Sequence, residues 1–223
     1  MFGGSLYVQD HPIEALALIA FFLLLSFPVH EFAHAFAAYR LGDGTAKLFG
    51  RLTLNPIAHF DQLGGTMLIL SVLVAGIPLG FAQTPVNPSN LRGRHGDAVV
   101  AAAGPLSNLL IAAIVALPLR LLFPATAGEL FASTSEVEQI LKYIVLYSIL
   151  LGLFNLIPIP PLDGGSILLS FVSPRQAWQL RPFFAQYGFF ILILLILPLF
   201  GGSSLISRVL FPITNAVYGV LVG

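Results

Sequence analysis

The stretch that decides the fold is residues 15–39, which reads ALALIAFFLLLSFPVHEFAHAFAAY. Between Glu14 and Glu31 the chain carries no Asp, Glu, Lys or Arg. A helix needs about 20 mostly apolar residues to cross the hydrocarbon core of a bilayer, and this run is long enough. It therefore predicts a transmembrane helix with ionisable residues near its C-terminal end.

The composition of the whole chain agrees with a membrane protein. Of the 223 residues, 57% are hydrophobic and 9% are charged, whereas soluble domains carry about 25% charged residues. This imbalance excludes an ordinary soluble protein, and it is the opposite of the composition that gives disorder. Ten basic and ten acidic residues give a net charge of zero, so nothing indicates a nucleic-acid partner.

Further charge-free runs predict further membrane helices. They are 98–119, 143–157 with its flanks, and 183–199. The tail 205–222 could either cross the membrane or lie in its interface with Arg208 outward. We therefore expect an all-α polytopic membrane protein of about five or six transmembrane helices, forming a single domain over residues 1–223.

The segment that follows the first span has a different pattern. Residues 47–56 read KLFGRLTLNP and are bounded by Gly44, Gly50 and Pro56. This pattern predicts one or two short strands. Because exposed strand edges cannot face lipid, we expect a short membrane-associated β segment at the interface or against protein.

The five residues HEFAH, at positions 30–34, carry the chemistry of the first span. On a helix His30 and His34 lie one turn apart on the same side, a spacing that lets two imidazoles bind one Zn²⁺. Glu31 is then placed to take a proton from a water beside the metal. The alternative is two core histidines and a stray carboxylate, which is costly at membrane depth.

A hydrolytic zinc site needs a third protein ligand and an open position. The chain has no cysteine, so the candidates are the other histidines (His11, His59, His95) and the carboxylates. Asp163 is the best candidate, since it lies in the stretch NLIPIPPLDGG at 155–165. Prolines and glycines break the helix there, and broken backbone at membrane depth is tolerated only beside protein or a watery cavity.

Two amide side chains and one histidine are secondary candidates. Asn155 and Asn108 each lie in a long apolar helix near a broken segment, and could position the substrate by donating hydrogen bonds to the scissile carbonyl. The alternative for both is helix–helix hydrogen bonding. His59 could be a ligand, a gate or an interfacial residue, and the interfacial interpretation is favoured.

The motifs together resemble the site-2 protease family of intramembrane zinc metalloproteases. The resemblance rests on HEFAH, on NLIPIPPLDGG, and on AGPLSN at 103–108, which is similar to the family's Gly-Pro-x-x-Asn helix. It implies one Zn²⁺ per chain held by His30, His34 and Asp163, with Glu31 catalytic. It also implies membrane-embedded protein substrates, and the chain resembles a compact form without PDZ or CBS domains.

The metal site constrains the topology. His30 and Asp163 must meet at one depth, so an even number of crossings must separate them, and we expect the segment 63–80 to be re-entrant. The loops that bear Arg40, Arg92 and Arg175 are basic, whereas the loop 123–139 has three Glu and no Lys or Arg. The positive-inside rule then places the active site toward the cytoplasmic side of the cell membrane.

The main alternative function is a polytopic transporter or channel with an intramembrane metal site. Glu31 would then be a proton relay, although its position between the two histidines has no evident use in transport. Apart from lipid and a transmembrane substrate, the sequence predicts no partner, and it leaves the oligomeric state open.

Overall fold

A computed structural model describes residues 12–59, 84–129, 135–197 and 204–223, together with Thr66. Within these ranges the secondary structure is helical, without strands. The main helices are α1 (Pro12–Phe21), α2 (Phe27–Arg40), α3 (Thr45–Leu48), α4 (Pro56–His59), α5 (Gly96–Leu122), α6 (Glu136–Asn155), α7 (Asp163–Phe171), α8 (Pro174–Ile196) and α9 (Leu205–Val222).

The first span is one continuous helix with a π-helical turn at its centre. This turn, Phe22–Ser26, joins α1 to α2, and the Phe27 N–H donates to the Phe22 carbonyl. Pro28 follows at once and has no N–H to donate to the preceding turn. The wider turn accommodates this missing donor and directs Ser26, which is fully buried, toward the protein interior.

The helices pack around α5, which contacts α2, α6 and α7. The C-terminal helix α9 packs on α6 and α5. The core between them contains Phe22, Ala112, Leu119, Val145 and Ile149, all of which are almost completely buried. By contrast, only 11% of an apolar 18-residue stretch of α8 is buried against the rest of the described chain.

Five helices in the described ranges are long and apolar enough to cross a membrane. They are Ala15–Arg40, Gly96–Leu122, Glu136–Asn155, Pro174–Ile196 and Leu205–Val222. The prediction of an all-α, multi-pass membrane protein is therefore confirmed. The tail 205–222 has the length and composition that its crossing alternative requires.

The prediction of a β segment at 47–56 is wrong. Residues Thr45–Leu48 form the short helix α3, and turns and bends follow it. Gly50 has a positive φ of 69°, and it ends α3 rather than starting a hairpin. The Gly50 N–H donates to the Lys47 carbonyl (3.0 Å) and the Arg51 N–H to the Ala46 carbonyl (2.8 Å), the pair of bonds that defines a Schellman C-cap.

The predicted re-entrant element at 63–80 lies outside the described residues except for Thr66. The even number of membrane crossings between His30 and Asp163 therefore stays a prediction.

Candidate metal centre

Three side chains from two separate elements converge at one point. His30 and His34 project from one side of α2, and Asp163 is the first residue of α7. The two Nε2 atoms are 3.0 Å apart. Asp163 Oδ2 lies 3.3 Å from His30 Nε2, and Asp163 Oδ1 lies 3.4 Å from His34 Nε2. These are the residues that the HEFAH and NLIPIPPLDGG motifs predict, and the fold brings them together.

The proline-rich loop is what delivers Asp163. Helix α6 ends at Asn155, and three prolines in the next six residues prevent the helix from continuing. Burial alone would raise the pKa of Asp163, but the two imidazoles 3.3 Å and 3.4 Å from its carboxylate oxygens lower it to about 2. The group is therefore a carboxylate at neutral pH.

The donor set fits a zinc ion. Zinc–ligand bonds of about 2.0–2.1 Å at tetrahedral angles place ligand atoms roughly 3.3 Å apart, close to the separations here. His34 Nδ1 lies 2.7 Å from the Val100 carbonyl, which can only accept, so neutral His34 presents a lone pair at Nε2. Asp163 Oδ2 is buried without a hydrogen bond of good geometry to any described residue. With both imidazoles neutral, the lone pairs of three ligand atoms converge on one point, as the ligands of a single ion do.

Glu31 lies beside this group and is held by a threonine. Its side chain is buried with 3% exposure. Thr84 Oγ1 lies 2.6 Å from Glu31 Oε2 and 3.2 Å from the Glu31 main-chain carbonyl. The hydroxyl therefore has two acceptors on one residue, and donation to the carboxylate fixes Oε2. Thr84 could not be predicted from the sequence, because it follows Glu31 by 53 positions.

The segment that carries Thr84 is anchored by Asp43. One carboxylate oxygen of Asp43 accepts from the Asn87 N–H at 2.8 Å, and the other from Asn90 Nδ2 at 2.9 Å. The same group also accepts from the Thr45 N–H and hydroxyl. Burial would raise the pKa of Asp43, but these hydrogen bonds outweigh it and lower the pKa below its usual range.

A cavity of about 860 Å³ opens over the site. Its floor contains His30, Glu31, His34 and Asp163. One wall is formed by α8 through Phe189, Leu192, Ile193 and Ile196, and another by Thr84, Val86 and Pro88. The site is therefore bordered by largely apolar surfaces.

The secondary candidates lie in different surroundings. Asn155 lines the cavity, and its Nδ2 donates to the Leu151 carbonyl at 3.0 Å. Asn108 is fully buried and does not line the cavity; its amide lies 3.0 Å from His30 Nδ1. Whether either asparagine positions the substrate stays a prediction.

His59 lies apart from the metal-ligating atoms. It is buried, and its Nε2 lies 2.6 Å from the Thr53 carbonyl. Among the described residues, the group of atoms able to share one ion contains His30, His34 and Asp163, all within 4.8 Å of one another. Among the described residues His59 is therefore not part of the candidate ligand group, and whether it is interfacial or a gate stays a prediction.

Comparison with known proteins gives consistent matches. The family model of peptidase family M50 matches residues 124–199, which include the Asp163 loop. YwhC of Bacillus subtilis (strain 168), which carries the provisional name of zinc metalloprotease, is 38% identical over 208 residues, covering 92% of this chain and 90% of that protein. Rip2 of Mycolicibacterium smegmatis, with the same provisional description, is 31% identical over 205 residues, covering 87% and 75%. No solved structure gives a significant match.

These relatives cover most of the chain, including the HEFAH helix that the family model does not reach. None of the relatives named here is described as a transporter or a channel, so that alternative is not favoured. By its similarity to them over nearly its full length, the chain belongs to peptidase family M50 and is an intramembrane zinc metalloprotease.

Proposed function

We propose that one zinc ion per chain is held by His30 Nε2, His34 Nε2 and the carboxylate of Asp163, and that Glu31 is the catalytic residue. The observation that carries this proposal is the convergence of the three ligand groups, within 4.8 Å, beside a buried glutamate. Three protein ligands leave a position open, as in other catalytic zinc sites. The whole chain would act as a single integral-membrane metalloprotease domain.

The chemistry that zinc supplies when bound is Lewis acidity, which polarises a carbonyl and lowers the pKa of water toward about 7. Glu31 accepts the proton of the attacking water as the new C–O bond forms. It then passes this proton to the amine nitrogen as the C–N bond breaks. The Thr84 hydroxyl holds Glu31 Oε2, so the second carboxylate oxygen remains available for the proton.

Asn155 would position the substrate in this reaction. It lines the cavity, and one N–H of its amide is occupied by the Leu151 carbonyl. The other N–H can donate to the scissile carbonyl oxygen as negative charge develops there. We assign no such contact to Asn108, which does not line the cavity.

The substrates we propose are transmembrane segments of membrane proteins, cut within or near the bilayer. The apolar walls that α8 contributes to the cavity support this class. A helical segment would have to unwind first, because its carbonyls are engaged in hydrogen bonds.

We propose that the site lies toward the cytoplasmic face of the cell membrane. The helix ends on the side of the site carry basic residues, namely Arg40, Arg92 and Arg175. At the opposite end of α6, Glu129 lies in the preceding loop and Glu136 is the first residue of the helix. Under the positive-inside rule the basic side is cytoplasmic.

The test is cleavage of a single-span substrate by purified protein in proteoliposomes, with bound zinc measured on the same samples. We expect Glu31→Gln to keep one zinc per chain and to cleave at least a hundredfold more slowly, as expected for loss of an acid–base group. Cleavage by this variant at the wild-type rate would remove Glu31 from the mechanism. A wild-type protein that cleaves equally well after zinc is removed would remove the metal.

A further inference from the structure

One face of α5 serves both histidines of the metal centre. Val100, Gly104 and Asn108 are spaced four residues apart, so they form a single stripe along the helix. The Val100 carbonyl lies 2.7 Å from His34 Nδ1, and the Asn108 amide lies 3.0 Å from His30 Nδ1. A Cβ on Gly104 would come within 2.6 Å of both Nε2 atoms. Val100 and Asn108 therefore contact the Nδ1 side of each imidazole, away from Asp163, whereas Gly104 packs against the Nε2 side.

Asn108 is enclosed in a way that gives its amide few partners. It is fully buried, as is Ser26, whose Oγ lies 3.5 Å from Asn108 Oδ1. The π-helical turn that ends at Ser26 brings this hydroxyl to the amide. A buried amide is costly unless its groups are hydrogen-bonded, and here the available groups are the His30 ring and the Ser26 hydroxyl.

Zinc at His30 Nε2 decides which end of the amide must face the ring. A neutral imidazole that offers a lone pair at Nε2 carries its proton on Nδ1. An Nδ1–H needs an acceptor, and an amide Nδ2 is a donor. The two ends of an asparagine amide have the same shape, so a half-turn about the last bond places Oδ1 at His30 Nδ1 and Nδ2 at Ser26 Oγ. The His30 Nδ1–H and one N–H of the amide then each meet an acceptor.

We propose that Asn108 is a positioning residue for the metal ligand His30. Its Oδ1 accepts from His30 Nδ1–H, its Nδ2 donates to Ser26 Oγ, and this fixes the His30 tautomer whose Nε2 binds zinc. The inference rests on the proposed assignment of zinc to His30, His34 and Asp163. His34 receives the equivalent support from a main-chain carbonyl, so Asn108 is the half of the arrangement that mutation can remove.

Two substitutions separate an acceptor from a donor at this position. Asn108→Asp keeps an acceptor for His30 Nδ1–H, whereas Asn108→Leu has a similar size and keeps neither function. Zinc affinity is measured on metal-free protein in detergent by competition with a chelator. We expect Asn108→Asp to stay within a few fold of wild type and Asn108→Leu to bind zinc 10–100-fold more weakly, the usual effect of losing such a partner.

Two outcomes of this comparison would overturn the proposal. Equal affinity in wild type and both variants would mean that the amide has no role in metal binding. An equal loss in both variants would mean that Asn108 donates to His30 instead of accepting. Ser26→Ala, which removes only the acceptor for Nδ2, should give a smaller loss than Asn108→Leu.

A second measurement needs no variant at Asn108 to fold. In protein labelled with ¹⁵N-histidine, the His30 signals are identified by their absence in His30→Gln. We expect Nδ1 of His30 to be protonated in the zinc-loaded wild-type protein. An unprotonated Nδ1 would overturn the proposal, however the Asn108 variants behave.

His30→Ala and Asp163→Ala separate this inference from the assignment on which it depends. If these variants lose zinc and Asn108→Leu does not, only the role of Asn108 fails. If Asp163→Ala keeps zinc at wild-type affinity, the proposed ligand set itself fails.

Discussion

The contribution of the Asn155 amide depends on a single N–H in the cavity. Removing one donor to a developing oxyanion typically costs about 10²–10³ in kcat. We therefore expect Asn155→Ala to lower kcat on a transmembrane substrate by this factor, with unchanged zinc content. The measurement is steady-state cleavage together with metal analysis. A change confined to KM would assign Asn155 to ground-state binding, contrary to the role proposed.

Gly104 lies close to both imidazoles of the candidate metal centre. A Cβ at this position would lie 2.2 Å from His34 Nε2 and 2.6 Å from His30 Nε2, so a side chain would push α5 away from both rings. We expect Gly104→Ala to weaken zinc binding at least a hundredfold, although alanine by itself favours a helix over glycine by about 1 kcal/mol. The matched control is Gly219→Ala in α9, where a Cβ would meet nothing within 4 Å. Equal zinc affinity in both variants would show that the close packing of α5 on the imidazoles does not matter.

The proposed metal ligands are the residues for which sequence spacing was most informative. The positions of His30 and His34 depend only on helix periodicity, so HEFAH predicted their shared side. Asp163 could be predicted because prolines break its segment after an uncharged run. The contacts from Thr84 and Val100 could not, because they depend on where distant segments cross, and neither residue type is unusual in an apolar chain.

Asp43 links the end of helix α2 to the segment that carries Thr84. An asparagine at this position has only one side-chain oxygen that can accept hydrogen bonds. A hydrogen bond to a charged group contributes about 1.5–3 kcal/mol to stability. We expect Asp43→Asn to speed hydrogen exchange of the Asn87 amide by one to two orders of magnitude. Turnover should fall with it, because Thr84 loses its fixed position, while zinc content stays the same. Unchanged protection of Asn87 would contradict this linkage.

The pH dependence of this linkage follows from the lowered pKa of Asp43. A carboxyl whose pKa is lower in the folded protein contributes its full stabilisation above its ordinary pKa of about 3.9, and loses it as the pH falls through the folded value. Protection of Asn87, corrected for intrinsic exchange, should therefore be constant between pH 5 and pH 8. It should decline only in more acidic solution, and in Asp43→Asn that acid-induced decline should be absent.

The elements also show where sequence patterns misled. Gly44, Gly50 and Pro56 were interpreted as turn residues around short strands. In the structure Gly50 occupies the left-handed position that ends α3. A glycine of this kind is equally compatible with a hairpin and with a helix C-cap. Four residues are too few for helical periodicity to decide between them. The long apolar runs predicted the first span and α5 within a few residues of their ends, whereas α6 and α8 begin seven and nine residues before the predicted runs.

For the molecule as a whole, a buried ion pair on α6 and a tyrosine on α9 both hold the loop that precedes α6. Lys142 Nζ lies 2.8 Å from Glu138 Oε1 on α6, and neither side chain is exposed. The ammonium also donates to the carbonyls of Thr126 and Glu129, and the hydroxyl of Tyr218, on α9, donates to the Ala127 carbonyl. The loop before α6 and the C-terminal helix are thereby tied to the same end of the core.

Breaking this pair should reduce stability without disturbing the metal centre. Lys142→Met leaves the Glu138 charge without its ammonium, a change that typically costs 3–5 kcal/mol. The double variant Glu138→Leu with Lys142→Met should recover most of that loss, as measured by thermal unfolding in detergent. Zinc content of the folded protein should not change, since the pair lies roughly 20 Å along α6 from Asn155. A single variant as stable as wild type would mean that the pair does not hold the bundle together.

The most direct test of the account is anomalous diffraction at the zinc absorption edge from crystals of the zinc-loaded protein. We predict one strong anomalous-difference peak per chain, bounded by His30 Nε2, His34 Nε2 and the carboxylate of Asp163. A peak elsewhere in the chain, or none at this point in protein shown to contain one zinc per chain, would contradict it.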